Sequence, residues 1–205
     1  MNSDVPKQFL LLAGKPVLMH SIAAFHAYDP AVKIIVALNP ALFAQWESLC
    51  TRHCFSTPHQ LAPGGSVRFE SVKNSLSLVT ADGLVAIHDG VRPLLSTDLI
   101  SRTYDLAYTA GNAIPFSSPA DSVRIIEGEA NSPLDRSKLR LIQTPQVFRV
   151  SLIRKAYELA GSGQFTDDAC VLEAAGGTIN LIRGEQYNIK ITWPEDLLIA
   201  ESLLR

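Results

Sequence analysis

The sequence predicts an α/β fold built on a doubly wound, mostly parallel sheet, with a β-arm projecting from it. Apolar runs of strand length alternate with amphipathic helical stretches along most of the chain, the order expected when helices cover both faces of a parallel sheet. One such run, Leu84-Val85-Ala86-Ile87, leads into His88-Asp89-Gly90-Val91-Arg92-Pro93. Polar residues therefore fall at the carboxyl end of a strand, where open α/β sheets bind ligands. At 205 residues, 47% hydrophobic and 19% charged, the chain has the size and composition of one globular domain. That domain spans residues 1–205, with the arm at about 117–141.

The first apolar stretch, Gln8-Phe9-Leu10-Leu11-Leu12, is brief and stops before Gly14. Residues 16–27 read as a helix with Pro16 in its first turn and Val17, Leu18, Ile22 and Ala23 among its apolar positions. Residues 33–38 read as a strand, 40–54 as a second proline-led helix and 66–79 as a third. Beyond His88, Ser96 caps a helix that runs to Ala110 and stops at Gly111, and a strand covers 112–116. There the alternation breaks. Residues 117–121 are loop-like, 122–126 a short strand and 127–129 a polar turn, after which Asp135-Arg136 leads into a second short strand at 139–142. Such a hairpin cannot bury both its faces alone, which points to packing on another subunit. Helices follow at 150–160 and 166–175, then a strand at 178–182 and a closing helix at 193–204.

A net charge of −2 provides no basic field for nucleic acid, so any phosphate must be held by local cations. No apolar stretch has the length of a membrane span, and the N-terminus lacks the charged-then-apolar order of a secretory signal, which makes the cytoplasm the expected compartment. Cys50, Cys54 and Cys170 are odd in number and lack framework spacing, in keeping with a reducing compartment. His53 and His59 lie near the first two, but structural zinc sites draw ligand pairs from separated segments, so no protein metal site is expected.

Asp89 and Arg92, three residues apart at a strand end, can grip a polar anionic ligand or simply close a turn as an ion pair; the local sequence supports both. Lys7, Arg68, Arg92, Arg136 and Lys190 all lie at or beside element boundaries. Lys190, between Ile189 and Ile191, reads as partly buried and so needs an anion: Asp89, another carboxylate or a bound phosphate. Gly64-Gly65-Ser66 precedes a helix whose N-terminus can take a phosphate or the polar edge of a ligand, although the same residues describe an ordinary turn. Ser71 lies further into that helix, and Thr144-Pro145-Gln146 can place a hydroxyl in the same cleft. Thr166-Asp167-Asp168 reads as a helix N-cap with acids in the first turn. Neither a P-loop nor a G-x-G-x-x-G motif is present.

The order and spacing of these blocks carry a resemblance. Pro6-Lys7-Gln8, Gly64-Gly65-Ser66-Val67-Arg68, Ser71-Val72 and His88 to Pro93 are joined by Asp135-Arg136, Thr144-Pro145-Gln146, Thr166-Asp167-Asp168 and Asn188-Ile189-Lys190-Ile191-Thr192. Together they resemble the 2-C-methyl-D-erythritol 4-phosphate cytidylyltransferases of the non-mevalonate isoprenoid pathway, over nearly the whole chain. The resemblance implies a Rossmann-like nucleotidyltransferase fold and a set of residue roles. Lys7 would bind the triphosphate of CTP and stabilise charge at the α-phosphorus, while Gly65, Ser66 and Ser71 recognise cytosine and ribose. Asp89 and Arg92 would lie where ribose meets the acceptor, with Thr144 and Thr166 lining the acceptor pocket. Lys190 and Thr192 would position the acceptor phosphate. The arm would reach across a homodimer and lend Ser122 and Arg136 to the neighbouring site.

The implied reaction is in-line attack of the acceptor phosphate on the α-phosphorus of CTP with loss of pyrophosphate. Catalysis then rests on positioning and charge stabilisation by Lys7, Arg136, Lys190 and a magnesium ion carried mainly by the CTP phosphates. Ribitol 5-phosphate cytidylyltransferases share several blocks and give the alternative acceptor, and a non-catalytic binding protein on the same fold is the alternative of another class. The resemblance also implies a strand and a glycine- and arginine-containing loop ahead of Pro6. The sequence as read opens at Met1-Asn2-Ser3-Asp4, the last residues of that loop, so weak nucleotide binding and little turnover are expected of residues 1–205 alone.

Overall fold

A computed structural model describes residues 5–161 and 165–204; the loop residues Met1 to Asp4 lie outside the described residues. A 3₁₀ turn at Lys7–Phe9 opens the described chain and leads into a two-stranded ribbon, β1 (Leu11–Leu12) and β2 (Lys15–Pro16). Ala13 and Gly14 turn it with φ of 48° and 79°, a left-handed backbone that glycine accepts without strain. Helix α1 (Val17–Tyr28) follows, with Pro16 at its N-cap where the missing N–H is no loss. Strand β3 (Ile35–Leu38) pairs in parallel with β4 (Gln60–Pro63), and α2 (Phe43–Arg52) connects them behind a 3₁₀ turn at Pro40–Leu42. Next come α3 (Arg68–Ser77), β5 (Leu84–Ile87), α4 (Thr97–Ala110) and β6 (Asn112–Ser117). The start and stop of α4 are as expected: Ser96 Oγ accepts from Leu99 N–H at 3.0 Å, and Gly111 ends the helix with φ of 88°.

The arm consists of β7 (Val123–Glu127) and β8 (Ala130–Leu134), paired antiparallel around Gly128. The second strand of the hairpin is therefore residues 130–134, and not 139–142 as the pattern suggested. Pro133 and the short polar residues hide β8 from a propensity reading, yet proline is tolerated in a strand of an isolated ribbon that needs no donor there. The expected strand at 139–142 shrinks to β9 (Leu141–Ile142), which pairs with β6 in the main sheet. The chain closes with β10 (Gln146–Arg149), α5 (Val150–Leu159), α6 (Asp168–Ala174), β11 (Leu181–Arg183) and α7 (Pro194–Leu203).

The main sheet has the order β11-β6-β10-β5, with β9 on β6. Strands β5, β6 and β11 run in one direction, as predicted, but β9 and β10 run against them. The antiparallel β10 was missed, and its register matters: Gln146 pairs with Ile87, so the start of β10 meets the end of β5. The segment just before β10 is thereby delivered to the edge of the sheet where β5 ends.

Two clusters hold that edge. Ile87, Ile114, Phe148, Ile153, Tyr157 and Leu172 join β5, β6 and β10 to α5 and α6. Leu12, Val17, Val91, Ile191 and Ala200 tie the N-terminal ribbon and α1 to the segments after β5 and before α7. Fully burying one such aliphatic side chain contributes about 1.5–3 kcal/mol, so both loops at the edge are pinned by apolar packing as well as by charge.

Candidate active site

Beyond Ile87 the chain turns through His88 and Asp89, and three cations from distant segments meet the Asp89 carboxylate. Lys190 Nζ lies 3.0 Å and Arg92 Nε 3.4 Å from Oδ2, while Arg68 Nε lies 3.7 Å from Oδ1. Burial by itself raises the pKa of Asp89, but the charge and hydrogen bond of Lys190, then Arg68 and Arg92, outweigh it and hold the group below its ordinary value. Lys190 is 44% exposed and keeps donors free for a ligand, whereas the Arg92 side chain is only 12% exposed. Arg92 Nη1 donates to the carbonyl of Asn188 at 2.8 Å, so this arginine braces Asp89 against the strand-like segment that carries Lys190. The ion-pair reading of this block is thus realised, with Lys190 and Arg68 joining Arg92 on Asp89.

A polar chain fixes the backbone of Asp89. Its N–H donates to Thr144 Oγ1 at 3.0 Å, and the Thr144 hydroxyl lies 3.0 Å from His88 Nδ1. Having accepted from Asp89, the hydroxyl gives its proton to Nδ1, which leaves Nε2–H to donate to the Arg92 carbonyl at 3.2 Å. That is the neutral ring, and burial accordingly lowers the His88 pKa to about 4. Asn188 completes the chain by donating to the Thr144 carbonyl at 2.8 Å. Thr144 is buried, and its hydroxyl holds the Asp89 backbone. Its peptide bond to Pro145 is cis.

The Gly65–Ser71 loop folds on itself. Gly65 N–H donates to Ser71 Oγ at 2.9 Å, and Ser66 donates to Glu70 Oε2 from its N–H at 2.7 Å and its hydroxyl at 2.8 Å. These hydrogen bonds hold the Glu70 carboxyl below its ordinary pKa. A side chain at Gly65 would run into the Cβ of Glu70 and sit 2.7 Å from its Oε2, so only glycine fits. Three donors are therefore gathered in one turn, each satisfied by Ser71 or Glu70 within it.

The described side-chain contacts of the remaining expected residues are local ones. Lys7 is exposed in its 3₁₀ turn, tethered to the site through Leu12, which packs with Val91 and Ile191. Thr192 is exposed, and its hydroxyl donates to the Lys190 carbonyl at 3.2 Å. Thr166 is exposed, its hydroxyl 3.4 Å from Cys170 Sγ, and the neighbouring acids bear out the N-cap reading, since Asp167 Oδ1 accepts from Cys170 N–H at 2.9 Å. Ser122 and Arg136 stay on the arm, where the Arg136 guanidinium donates to the Ala120 carbonyl. No described contact joins them to Asp89.

Two residues were given no functional role from sequence and belong to the site: Arg68 and Asp168. Arg68 donates from Nη1 and Nη2 to the two oxygens of Asp168 at 3.0 and 2.6 Å, and the Asp168 side chain is 0% exposed. Arginine at the first position after a glycine-containing turn was the available signal; nothing local marked its partner 100 residues away.

Among the described residues no three His, Cys, Asp or Glu side chains gather in a way that would hold a metal ion. The His59 ring is engaged elsewhere: Nε2 accepts from Trp46 Nε1 at 2.8 Å, and Nδ1 lies 2.7 Å from the Thr57 carbonyl.

Cations converging on one carboxylate at the end of an α/β sheet strand suit a phosphate-bearing ligand, and the chain's relatives are nucleotidyltransferases. Comparison with known proteins narrows the class. The family model of 2-C-methyl-D-erythritol 4-phosphate cytidylyltransferase (IspD) matches residues 1–205, and the chain belongs to this family. Relatives of that name from Bacteroides thetaiotaomicron and Phocaeicola vulgatus are 46% and 44% identical over 204 residues, 100% of this chain and 93% of each relative. The crystal structure of the Thermus thermophilus cytidylyltransferase superimposes with a TM-score of 0.81 at 33% identity, covering 97% of this chain and 93% of that one. The 4-diphosphocytidyl-2C-methyl-D-erythritol synthase of Anaerococcus prevotii gives 0.85 at 26% identity, with 99% and 92% coverage.

Proposed function

We propose that the chain transfers a cytidylyl group from CTP to 2-C-methyl-D-erythritol 4-phosphate, releasing pyrophosphate and forming 4-diphosphocytidyl-2-C-methyl-D-erythritol. The observation that carries the proposal is the meeting of Lys190, Arg92 and Arg68 on Asp89 at the end of β5, in a chain of this family. The relatives' names favour methylerythritol phosphate over ribitol phosphate as acceptor.

The roles follow from what each group can do. Asp89, a carboxylate that only accepts, takes hydroxyl groups of the acceptor polyol or the ribose, while Lys190 holds the acceptor phosphate beside it. A phosphate oxygen is already an adequate nucleophile, so in-line attack on the α-phosphorus needs no general base and pyrophosphate departs with its charge compensated. Lys7 serves the triphosphate, Gly65, Ser66 and Ser71 the base and ribose, and Thr166 and Thr192 the acceptor side. Magnesium, carried mainly by the CTP phosphates, would add charge compensation for the departing pyrophosphate. The arm, with Ile126 68% exposed and Ile125 and Leu134 each 39% exposed, suits a homodimer in which Ser122 and Arg136 act on the partner's site. No helix among the described residues is long and apolar enough to cross a membrane, and a cytoplasmic enzyme accords with the free cysteines.

Pyrophosphate release measured with CTP, magnesium and the acceptor tests the proposal, using residues 1–205 and the same chain extended by the strand and loop that the family resemblance implies. Turnover that requires both substrates supports it; no turnover from either form refutes it. The two forms also test the expected weakness of the shorter one.

A further inference from the structure

The buried acid Asp168 has no part in the transfer as derived so far. It lies in the first turn of α6 and is 0% exposed, an environment that tolerates a carboxylate only when paired and hydrogen-bonded. Three donors satisfy it: the two Nη atoms of Arg68 at 3.0 and 2.6 Å, and the Tyr157 hydroxyl at 2.7 Å from α5. Tyr157 is itself buried and stacks on Phe69, the neighbour of Arg68 in α3, with ring centroids 4.6 Å apart. Gln146 pins the same helix end from β10, accepting from Ala169 N–H at 2.9 Å and donating to Asp167 at 3.0 Å. The planar fork of Arg68 is thus locked onto a rigid base, and its remaining edge, Nε, faces Asp89 Oδ1 at 3.7 Å.

We infer that Arg68 is a positioning residue for the acceptor half of the site, with Asp168 and Tyr157 as its mount. The inference rests on the proposed cytidylyl transfer and adds a residue to it. The two oxygens of Asp89 divide the cations: Oδ2 serves Lys190 and Arg92, and Oδ1 serves Arg68. With Arg68 in place both carboxylate oxygens face a cation, which fixes the orientation of Asp89 and, through the 3.0 Å pair, the ammonium of Lys190 that meets the acceptor phosphate. Without it, Asp89 is held through Oδ2 alone, by Lys190 and Arg92, and the ammonium shifts with the carboxylate. Lysine cannot substitute, because one ammonium cannot span Asp168 and Asp89 as the guanidinium does. Arg68 also begins the helix that follows the Gly65–Ser66 turn, so one side chain spaces the nucleotide loop from the acceptor pocket.

Steady-state kinetics of Arg68→Lys and Asp168→Asn, in the form of the chain that turns over, test this. Misplacing a phosphate anchor by a fraction of an ångström raises the KM for methylerythritol phosphate by about tenfold or more, with the KM for CTP held within about twofold. Combining the two substitutions is no worse than the more damaging one, since both release the same fork. A purely structural role would lower the melting temperature and the active fraction while leaving the acceptor-to-CTP KM ratio unchanged, and that result overturns the inference. If either variant fails to fold, Tyr157→Phe keeps both charges and removes one hydrogen bond; a rise in acceptor KM alone supports the inference, and unchanged constants overturn it. An inactive wild-type chain would instead count against the proposed function.

Discussion

Acidification should unfasten the site at His88 before it affects any carboxylate there. Burial lowers the folded pKa of this ring to about 4 from an ordinary 6.5. Above pH 6.5 the ring is neutral in both folded and unfolded chains and contributes no pH dependence. Below that value the unfolded chain takes up a proton that the folded chain refuses, so stability falls as pH falls, down to about 4, where the folded ring protonates as well. The gap corresponds to about 3 kcal/mol, a substantial part of the stability of a domain this size. The folded pKa of Asp89 is also lowered, but its contribution is lost only below the ordinary carboxylate value of 3.8, under the histidine window. Urea denaturation of the wild type and His88→Gln at half-unit intervals from about pH 7 to about 4.5 isolates the effect, because the other four histidines are common to both. The wild type should lose about 2–3 kcal/mol more than the variant across the interval. Parallel curves would refute the reasoning, and with it the assignment of a neutral ring that accepts from Thr144.

Other outcomes follow from the same geometry. Lys190→Met should lower kcat/KM by about 10²–10³ and the melting temperature by a few degrees, since Asp89 loses its nearest cation but keeps Arg68 and Arg92; pyrophosphate-release kinetics and calorimetry check it. Gly65→Ala should weaken CTP binding by about tenfold or more, measured by titration calorimetry, because the added methyl meets the Cβ of Glu70 and opens the turn that gathers the donors. Ile126→Glu on the exposed arm should shift the protein toward monomer in analytical ultracentrifugation, with turnover lost in step; an unchanged assembly would count against the arm as an interface.

The sheet edge was legible because Leu84 to Ile87 is an uninterrupted apolar run with charge directly behind it, and parallel strands advertise their ends in that way. Helices were legible from their caps, such as Ser96 and Gly111. Strand β10 escaped because Gln146 breaks its pattern: a fully buried glutamine looks polar until its amide is seen holding Asp167 and Ala169. The pairing of Arg68 with Asp168 escaped for a deeper reason. An acid in the first turn of a helix serves the helix dipole equally well in solvent or in the core, so its sequence signature is the same in both cases. What separates them is an arginine 100 residues away, visible only once the chain has folded. The hydrogen bonds of Thr144 were not legible, since the direction of its hydroxyl is fixed by His88 and Asp89, just beyond β5, and not by its own segment.

The antiparallel β10 has a consequence for the order in which the molecule comes into being. Among the described residues, strands before position 118 pair with one another only as β1 with β2 and β3 with β4. Every ladder of the main sheet uses β9, β10 or β11. During synthesis, β5 and β6 leave the ribosome with open edges, and the arm emerges before any strand arrives to join them. The first contact between Gln146 and Ile87 closes a loop of about sixty residues, a slow step for chains of this topology. The site is thus assembled late: one short strand slides between two others and carries Thr144 to the back of Asp89, and Lys190, still later in the chain, completes the cluster.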